Sequence, residues 1–284
     1  MKYTNEQNLP ESIYKAIIRD PYEKKSDFTA SELPVPTQVR ILRHRYDKLI
    51  EVDVADLIYP LIGNNTHYIL ERMGIKNALQ EERFYYTVAG KLISGQIDYY
   101  SAERIVTDYK ITTRFVLIDG VKPEWEKQLN ICRYLMEKNG FKVEGINVCC
   151  IFRDWSKIQS LKNPDYPKHQ VVILPVKLWE PDRVAEYITE RIIEYETDYE
   201  LPDSELTECT PEERWEKPTK YAIMKKGAKR ATKLFDNEIF AEDYLVTLDG
   251  NFSIEERPGE STRCEYYCEV KDFCHQYKRI KEDK

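Results

Sequence analysis

The chain has 284 residues, with 43 Lys and Arg against 50 Asp and Glu, a formal charge of -7, and 42% hydrophobic residues. That apolar content supports a sizeable core and excludes wholesale disorder. No run of about 18 apolar residues occurs, so no membrane-spanning helix is expected. The start, MKYTNEQNLPESIYK, has no apolar stretch, so no signal peptide is expected and the protein is read as cytoplasmic.

Residues 1–30 read as a polar lead-in. A helix is predicted from Thr37, carrying Arg40, Arg43, His44 and Arg45. A second helical stretch covers 53–73, interrupted by Pro60 and Gly63, with Gly74 as its C-terminal cap. The pattern then changes to period 2, and ERFYYTV, KLISGQIDYY and RIVTDYKITTRFVLI read as three strands. Tyr100-Ser101-Ala102-Glu103 suits a turn between the last two. Pro123 opens a helix that ends at Lys138-Asn139-Gly140, with Trp125, Leu129, Cys132 and Met136 as its apolar stripe. FKVEGINVCCIF and QVVILPV are two more strands, and Pro181 opens a helix through about residue 195. This order predicts an α/β core over 31–199, a central mixed sheet flanked by helices. From Leu201 the sequence becomes turn-rich, with a hairpin around Lys225-Lys226-Gly227, a short helix over 237–244 and the tail RCEYYCEVKDFCHQY. Residues 200–284 therefore read as an appendage.

Side chains two apart on a strand share a face, so Asp108 and Lys110 project together. A tight turn within 99–107 can place Asp98 across from Asp108. Facing carboxylates repel, and a divalent cation relieves them. Oxygen donors suit Mg²⁺ or Mn²⁺ better than zinc. A lysine beside such an ion can orient an attacking water and offset charge on a phosphoryl group. The other reading of these residues is a solvated strand edge with a cross-strand ion pair.

The same residues carry a family resemblance. Gly63-Asn64-Asn65-Thr66-His67 with Glu71 fits G-x-x-x-H-x-x-x-E on a helix before the sheet; Gly95-Gln96-Ile97-Asp98 fits G-x-x-D; Asp108-Tyr109-Lys110 fits (D/E)-x-K; and Gln128 fits the glutamine of Q-x-x-x-Y on the next helix. The stretch resembles the RecB-like branch of the PD-(D/E)XK nucleases. The resemblance implies a restriction-endonuclease-like core. His67, Asp98, Asp108 and the Tyr109 carbonyl would ligate the metal, Lys110 would position the hydrolytic water, and Gln128 would support the site. Gln96 reads as structural. The implied reaction is phosphodiester hydrolysis in DNA, by an exonuclease acting on single strands or DNA ends. One position departs: Cys132 stands where the tyrosine is expected, with Tyr134 nearby. The alternative is a non-catalytic DNA-binding or accessory protein on a nuclease fold with a structural metal cluster.

Seven cysteines divide into two groups. Cys132, Cys149 and Cys150 lie in apolar-periodic segments and read as buried hydrophobes. Cys209, Cys264, Cys268 and Cys274 lie in polar, turn-rich sequence and suit either a [4Fe–4S] cluster or a Cys₄ zinc site. The tail is similar to that of iron–sulfur nucleases among the phage-encoded and CRISPR-associated RecB-like proteins. That likeness favours the cluster over Zn²⁺ and implies a role in phage-type DNA recombination, replication or repair. Lys217, Lys220, Lys225, Lys226, Lys229, Arg230 and Lys233 put +7 on the predicted hairpin, leaving 36 basic against 50 acidic residues elsewhere. The hairpin is expected to contact DNA phosphates without reading sequence, with Arg40, Arg43 and Arg45 as an opposite wall. No membrane partner is expected; a second copy of the chain or a replication or recombination protein is.

Overall fold

The computed structural model describes residues 1–19 and 24–282, so the part of the lead-in at 20–23 lies outside the described residues. The protein is mixed α/β and divides into two compact units: 1–35 with 51–199, and 36–50 with 200–284. The first 30 residues are more structured than their polarity suggests. Strand Lys2–Thr4 pairs in parallel with Glu51–Asp53, and helix Glu11–Ile18 follows.

In the first unit a five-stranded sheet runs in the order Val171–Val176, Gly145–Phe152, Ile105–Thr112, Tyr99–Tyr100, Leu79–Gln80. Ile105–Thr112 and Gly145–Phe152 are parallel; the other neighbours are antiparallel. A three-stranded sheet, Phe28–Thr29, Lys91–Gln96 and Arg83–Val88, continues it. The join is made where Ile97 N–H donates to the Glu82 carbonyl at 3.0 Å and Glu81 N–H to the Asp98 carbonyl at 3.1 Å. Burial alternates along Gly145–Phe152, with Ile146, Val148, Cys150 and Phe152 inside. Helices Pro123–Lys138 and Pro181–Tyr199 supply Leu129, Ile131, Leu135, Ile188 and Ile192 to the same core.

Three predicted elements change shape. Pro60 and Gly63 do not interrupt helix Ile58–Glu71. Pro60 falls in its first turn, where the missing N–H would be unpaired anyway. The strand expected over 91–100 stops at Gln96 and resumes at Tyr99. The strand expected to run on past residue 112 ends there, because Val116–Asp119 coils into a helical turn closed by Gly120 at φ 83°.

The second unit holds helix Thr37–Tyr46, which the sequence reading assigned to the core. Its polar residues bind within this unit. Arg45 Nη1 lies 2.5 Å from Asp203 Oδ1, Arg45 Nη2 donates to the Leu201 carbonyl at 2.7 Å, and Arg43 pairs with Glu269. Tyr46 stacks on Phe273 at 4.2 Å. The hairpin arms are Lys220–Lys225 and Lys233–Phe235, joined by a loop over 226–232 that opens on the expected tight turn, with Ala228 N–H donating to the Lys225 carbonyl at 2.9 Å and Gly227 at φ 83°. A third strand, Phe252–Arg257, pairs with the outer edge of the first arm; its sequence signal is weak because only Phe252 and Ile254 of its six residues are apolar. Helices Glu238–Leu245, Thr262–Tyr266 and His275–Glu282 complete the unit.

Candidate functional site

The strand register sets the site in the first unit. Tyr99 pairs with Thr107, so the next rung puts Asp98 opposite Asp108. On its other side Gln80 pairs with Tyr99, so Glu81 lies opposite Asp98. Glu81 and Asp98, each at the edge of its strand, thus stand in a row with Asp108 on strand Ile105–Thr112. Helix Ile58–Glu71 brings His67 to them: its Nδ1 lies 3.2 Å from Glu81 Oε1 and 3.5 Å from Asp98 Oδ1. Among the described residues, His67, Glu81 and Asp98 form the group whose donor atoms lie mutually within 4.8 Å.

Asp108 and Lys110 do share a face. The Lys110 ammonium lies 2.8 Å from Asp108 Oδ2 and 3.1 Å from Oδ1. Asp108 is 4% exposed, and the Lys110 ammonium compensates its burial. Asp98 Oδ2 accepts the Tyr109 N–H at 2.7 Å. Burial first, then repulsion from Asp108, pushes the Asp98 carboxyl up to about 7, against the pull of His67. The Glu81 bond raises His67 above its ordinary value in spite of burial. Lys110 is raised because Asp108 outweighs the cost of burial. The site's donors are carboxylate oxygens and one imidazole, a set that fits Mg²⁺ or Mn²⁺.

His67, Asp98, Asp108, Lys110 and Gln128 line one open cleft of about 1250 Å³, as do Glu71 and Gln96. Glu81 is the acid that the sequence reading missed. It could have been counted: the Ala89-Gly90 turn pairs Val88 with Lys91, and this register run backwards reaches Glu81 opposite Asp98. Glu81 adopts φ 52°, a left-handed conformation uncommon for a residue with a Cβ. It is held there by the Asp98 carbonyl and by Gln96, whose Nε2 donates to its carbonyl at 3.2 Å and to its Oε2 at 2.8 Å. Gln96 therefore does more than pack the strand: it fixes Glu81.

The departure at Cys132 has a packing reason. A Cβ on Gly95 would lie 2.9 Å from Leu135 Cδ1 and 3.0 Å from Cys132 Sγ. The helix presses onto this strand, and Cys132 is 2% exposed. A tyrosine at 132 has no room without moving one of them.

In the second unit Cys209, Cys264, Cys268 and Cys274 line one small enclosed pocket. Burial raises all four thiols above their ordinary value, Cys264 to about 11. Such thiols stay neutral unless a metal takes the proton's place. Gln38, a residue the sequence reading did not single out, reaches the same pocket: its Oε1 lies 3.3 Å from Cys274 Sγ and 3.7 Å from Cys209 Sγ. Gln276 brackets Cys209, accepting its N–H and donating to its carbonyl, each at 2.9 Å.

The basic hairpin carries less free charge than its sequence count. Lys217 lies 3.5 Å from Glu260, Lys220 pairs with Asp236, and Lys233 sits over the rings of Phe235 and Tyr244. The third strand adds Glu255 and Glu256 opposite Ala222 and Tyr221. Lys225, Lys226, Lys229 and Arg230 lie exposed at the loop end. Of the residues expected to form an opposite wall, Arg43 and Arg45 are ion-paired and Arg40 is buried.

No family model and no curated protein matches the chain. Among solved structures, the chain is similar to the crystal structure of SSO0001, with 18% identity, 64% of this chain and 83% of that one covered, and a TM-score of 0.44. An alkaline exonuclease, LHK-Exo, from Laribacter hongkongensis gives 13% identity, 61% and 89% coverage, and a TM-score of 0.37. At that distance the case for function rests on the geometry of the site. No helix among the described residues is long and apolar enough to cross a membrane.

Proposed function

We propose that the first unit is a nuclease core of the PD-(D/E)XK type, and that the protein is a divalent-metal-dependent DNA exonuclease acting on single strands or DNA ends. One observation carries this: His67, Glu81 and Asp98 meet within 4.8 Å, beside the Asp108–Lys110 pair, in one open cleft. Asp98, Asp108, His67 and the Tyr109 carbonyl would hold Mg²⁺ or Mn²⁺. The ion supplies charge neutralisation and a more acidic bound water. Lys110, anchored by Asp108, orients the attacking water and offsets negative charge as it develops on the phosphoryl oxygens. Gln128 faces the cleft from helix Pro123–Lys138 and steadies the substrate. A role in phage-type DNA recombination, replication or repair belongs to the same reading.

The test is hydrolysis of end-labelled single- and double-stranded DNA with Mg²⁺, Mn²⁺ or EDTA, beside Lys110→Ala. Metal-dependent shortening of the strands, lost in EDTA and in the variant, is expected. Activity that persists in Lys110→Ala, or is missing with every metal, overturns the enzyme reading and leaves the non-catalytic alternative.

We further propose that Cys209, Cys264, Cys268 and Cys274 hold a [4Fe–4S] cluster that ties the C-terminal segment together. Four thiols in one enclosed pocket are a soft donor set. The likeness of the tail to that of iron–sulfur nucleases favours a cluster over zinc. Anaerobically purified protein should be brown, with broad absorbance near roughly 400 nm. A colourless preparation with stoichiometric zinc overturns it.

A further inference from the structure

Helix Ile58–Glu71 does two things at once. It delivers His67, and it buries none of its own residues. Leu61, Asn64, Tyr68 and Arg72 recur at spacings of three and four and all line the cleft. That places them on one face. The face runs about 16 Å, at roughly 1.5 Å per residue. Near its end Tyr68 is 52% exposed. The Arg72 guanidinium lies over the Tyr68 ring, 3.6 Å from its centroid.

A single exposed tyrosine is ordinary on a protein surface. This one lies next in sequence to an imidazole 3.5 Å from Asp98, and it shares the cleft with the three carboxylates. Arg19 lines that cleft too, as do Lys24, ion-paired with Glu32 at 2.8 Å, and Arg83, which donates to Gln96 Oε1. An aromatic face flanked by cations beside a phosphoryl-transfer site matches the way unpaired nucleotides are gripped: the base stacks on the ring and the cations meet the phosphates. A duplex offers no such face along its length, because its bases already stack on one another.

We propose that Tyr68, backed by Arg72, is a base-stacking platform that holds single-stranded DNA at the mouth of the cleft. This rests on the nuclease reading of the cleft and names the form of the substrate. The ring fixes one base while the strand's phosphate enters the carboxylate row. Stacking tolerates any base, so the platform adds affinity without reading sequence.

The test is fluorescence anisotropy with the full chain carrying Lys110→Ala, in Mg²⁺, so that binding is read without cleavage. The probes are a labelled DNA single strand, a wholly abasic strand of equal length, a blunt DNA duplex and an RNA strand of the same sequence. Tyr68→Ala should weaken the intact DNA strand about tenfold and leave the abasic strand and the duplex within about twofold, as expected for one lost base stack. Tyr68→Phe should bind like the parent. Equal loss on all DNA probes, no loss on the intact strand, or the same loss in Tyr68→Phe overturns the platform. Tighter binding of the RNA strand overturns the DNA assignment. The two readings fail separately. If Mg²⁺ and Mn²⁺ support no cleavage but Tyr68→Ala loses base-dependent binding, the nuclease reading falls and the platform stands. If cleavage depends on Lys110 but Tyr68→Ala binds every probe normally, the platform falls alone.

Discussion

Each unit buries titratable groups, and the two do it in opposite ways. In the first, Glu81, Asp98 and Asp108 stand on neighbouring strands at the floor of an open cleft. In the second, four thiols and Gln38 line an enclosed pocket. An open, oxygen-lined site keeps room for substrate and water; a closed, sulfur-lined one does not. On the proposed reading, the difference separates a site that reacts from a site that holds. Metal removal should therefore silence the first unit's chemistry and unfold part of the second.

The largest effect expected is on rate. Asp108→Asn keeps shape and removes the charge that anchors Lys110. It should cut the metal-dependent hydrolysis rate by at least about 10²–10³, the size found when one electrostatic contact to a transition state is removed. Single-turnover rates on end-labelled DNA read it, and near-parental rates would break the assignment of this row as the reacting site.

Cys274→Ser tests the other side of the comparison. It should bleach absorbance near roughly 400 nm and lower the melting temperature, because metal binding contributes directly to the folding of such sites. Hydrolysis by the surviving folded fraction should stay within about threefold. A variant that melts like the parent but hydrolyses no DNA would reverse the roles given to the two units.

Asp98 predicts a pH dependence for metal-free protein. Its folded carboxyl titrates at about 7 against an ordinary 3.8. Between those values the native chain holds a proton the unfolded chain has lost, so stability falls as pH rises from about 4 to about 7 and is flat above. The full change is on the order of 4 kcal/mol, at about 1.4 kcal/mol per unit. In EDTA, the difference in denaturation midpoint between the parent and Asp98→Asn should trace that window. A difference that does not vary with pH would show that Asp98 is ionised throughout.

A smaller change separates packing from chemistry. Gly95→Ala drives a methyl toward Leu135 and Cys132. It should cost about 1–3 kcal/mol by overpacking, read by urea denaturation. Replacement at no cost would mean that the helix can move off the strand.

Much of the first site was legible because strand pairing is arithmetic. Asp98, Asp108 and Lys110 follow from period 2 and one turn, and Glu81 needed only the Ala89-Gly90 turn carried through the same count. The break at Ile97 and Asp98 hid that continuity. The second unit resisted for the opposite reason. Gln38 lies 171 residues from Cys209 and 236 from Cys274, and no local period connects them. Helix Thr37–Tyr46 reads as an ordinary helix; its ion pairs to Asp203 and Glu269 and the Tyr46–Phe273 stack reveal which unit it serves.

The hairpin gives the finest test, because its seven cations divide by environment. Lys217, Lys220 and Lys233 already have a carboxylate or an aromatic ring beside them. Lys225, Lys226 and Lys229 are exposed at the loop end. If the loop meets phosphates, replacing these three by alanine should flatten the dependence of log affinity on log salt by about 2, since each single-strand phosphate contact adds about 0.7. The effect should be the same on any sequence, because phosphate contacts carry no base information. Replacing Lys217, Lys220 and Lys233 instead should leave the slope nearly unchanged, as their partners must be given up before they can bind. Equal slopes for both triples would mean that the ion pairs dissolve on DNA, and that the full +7 counts after all. An unchanged slope in the loop triple would assign all phosphate contact to the first unit, where Arg19, Lys24, Arg72 and Arg83 line the cleft.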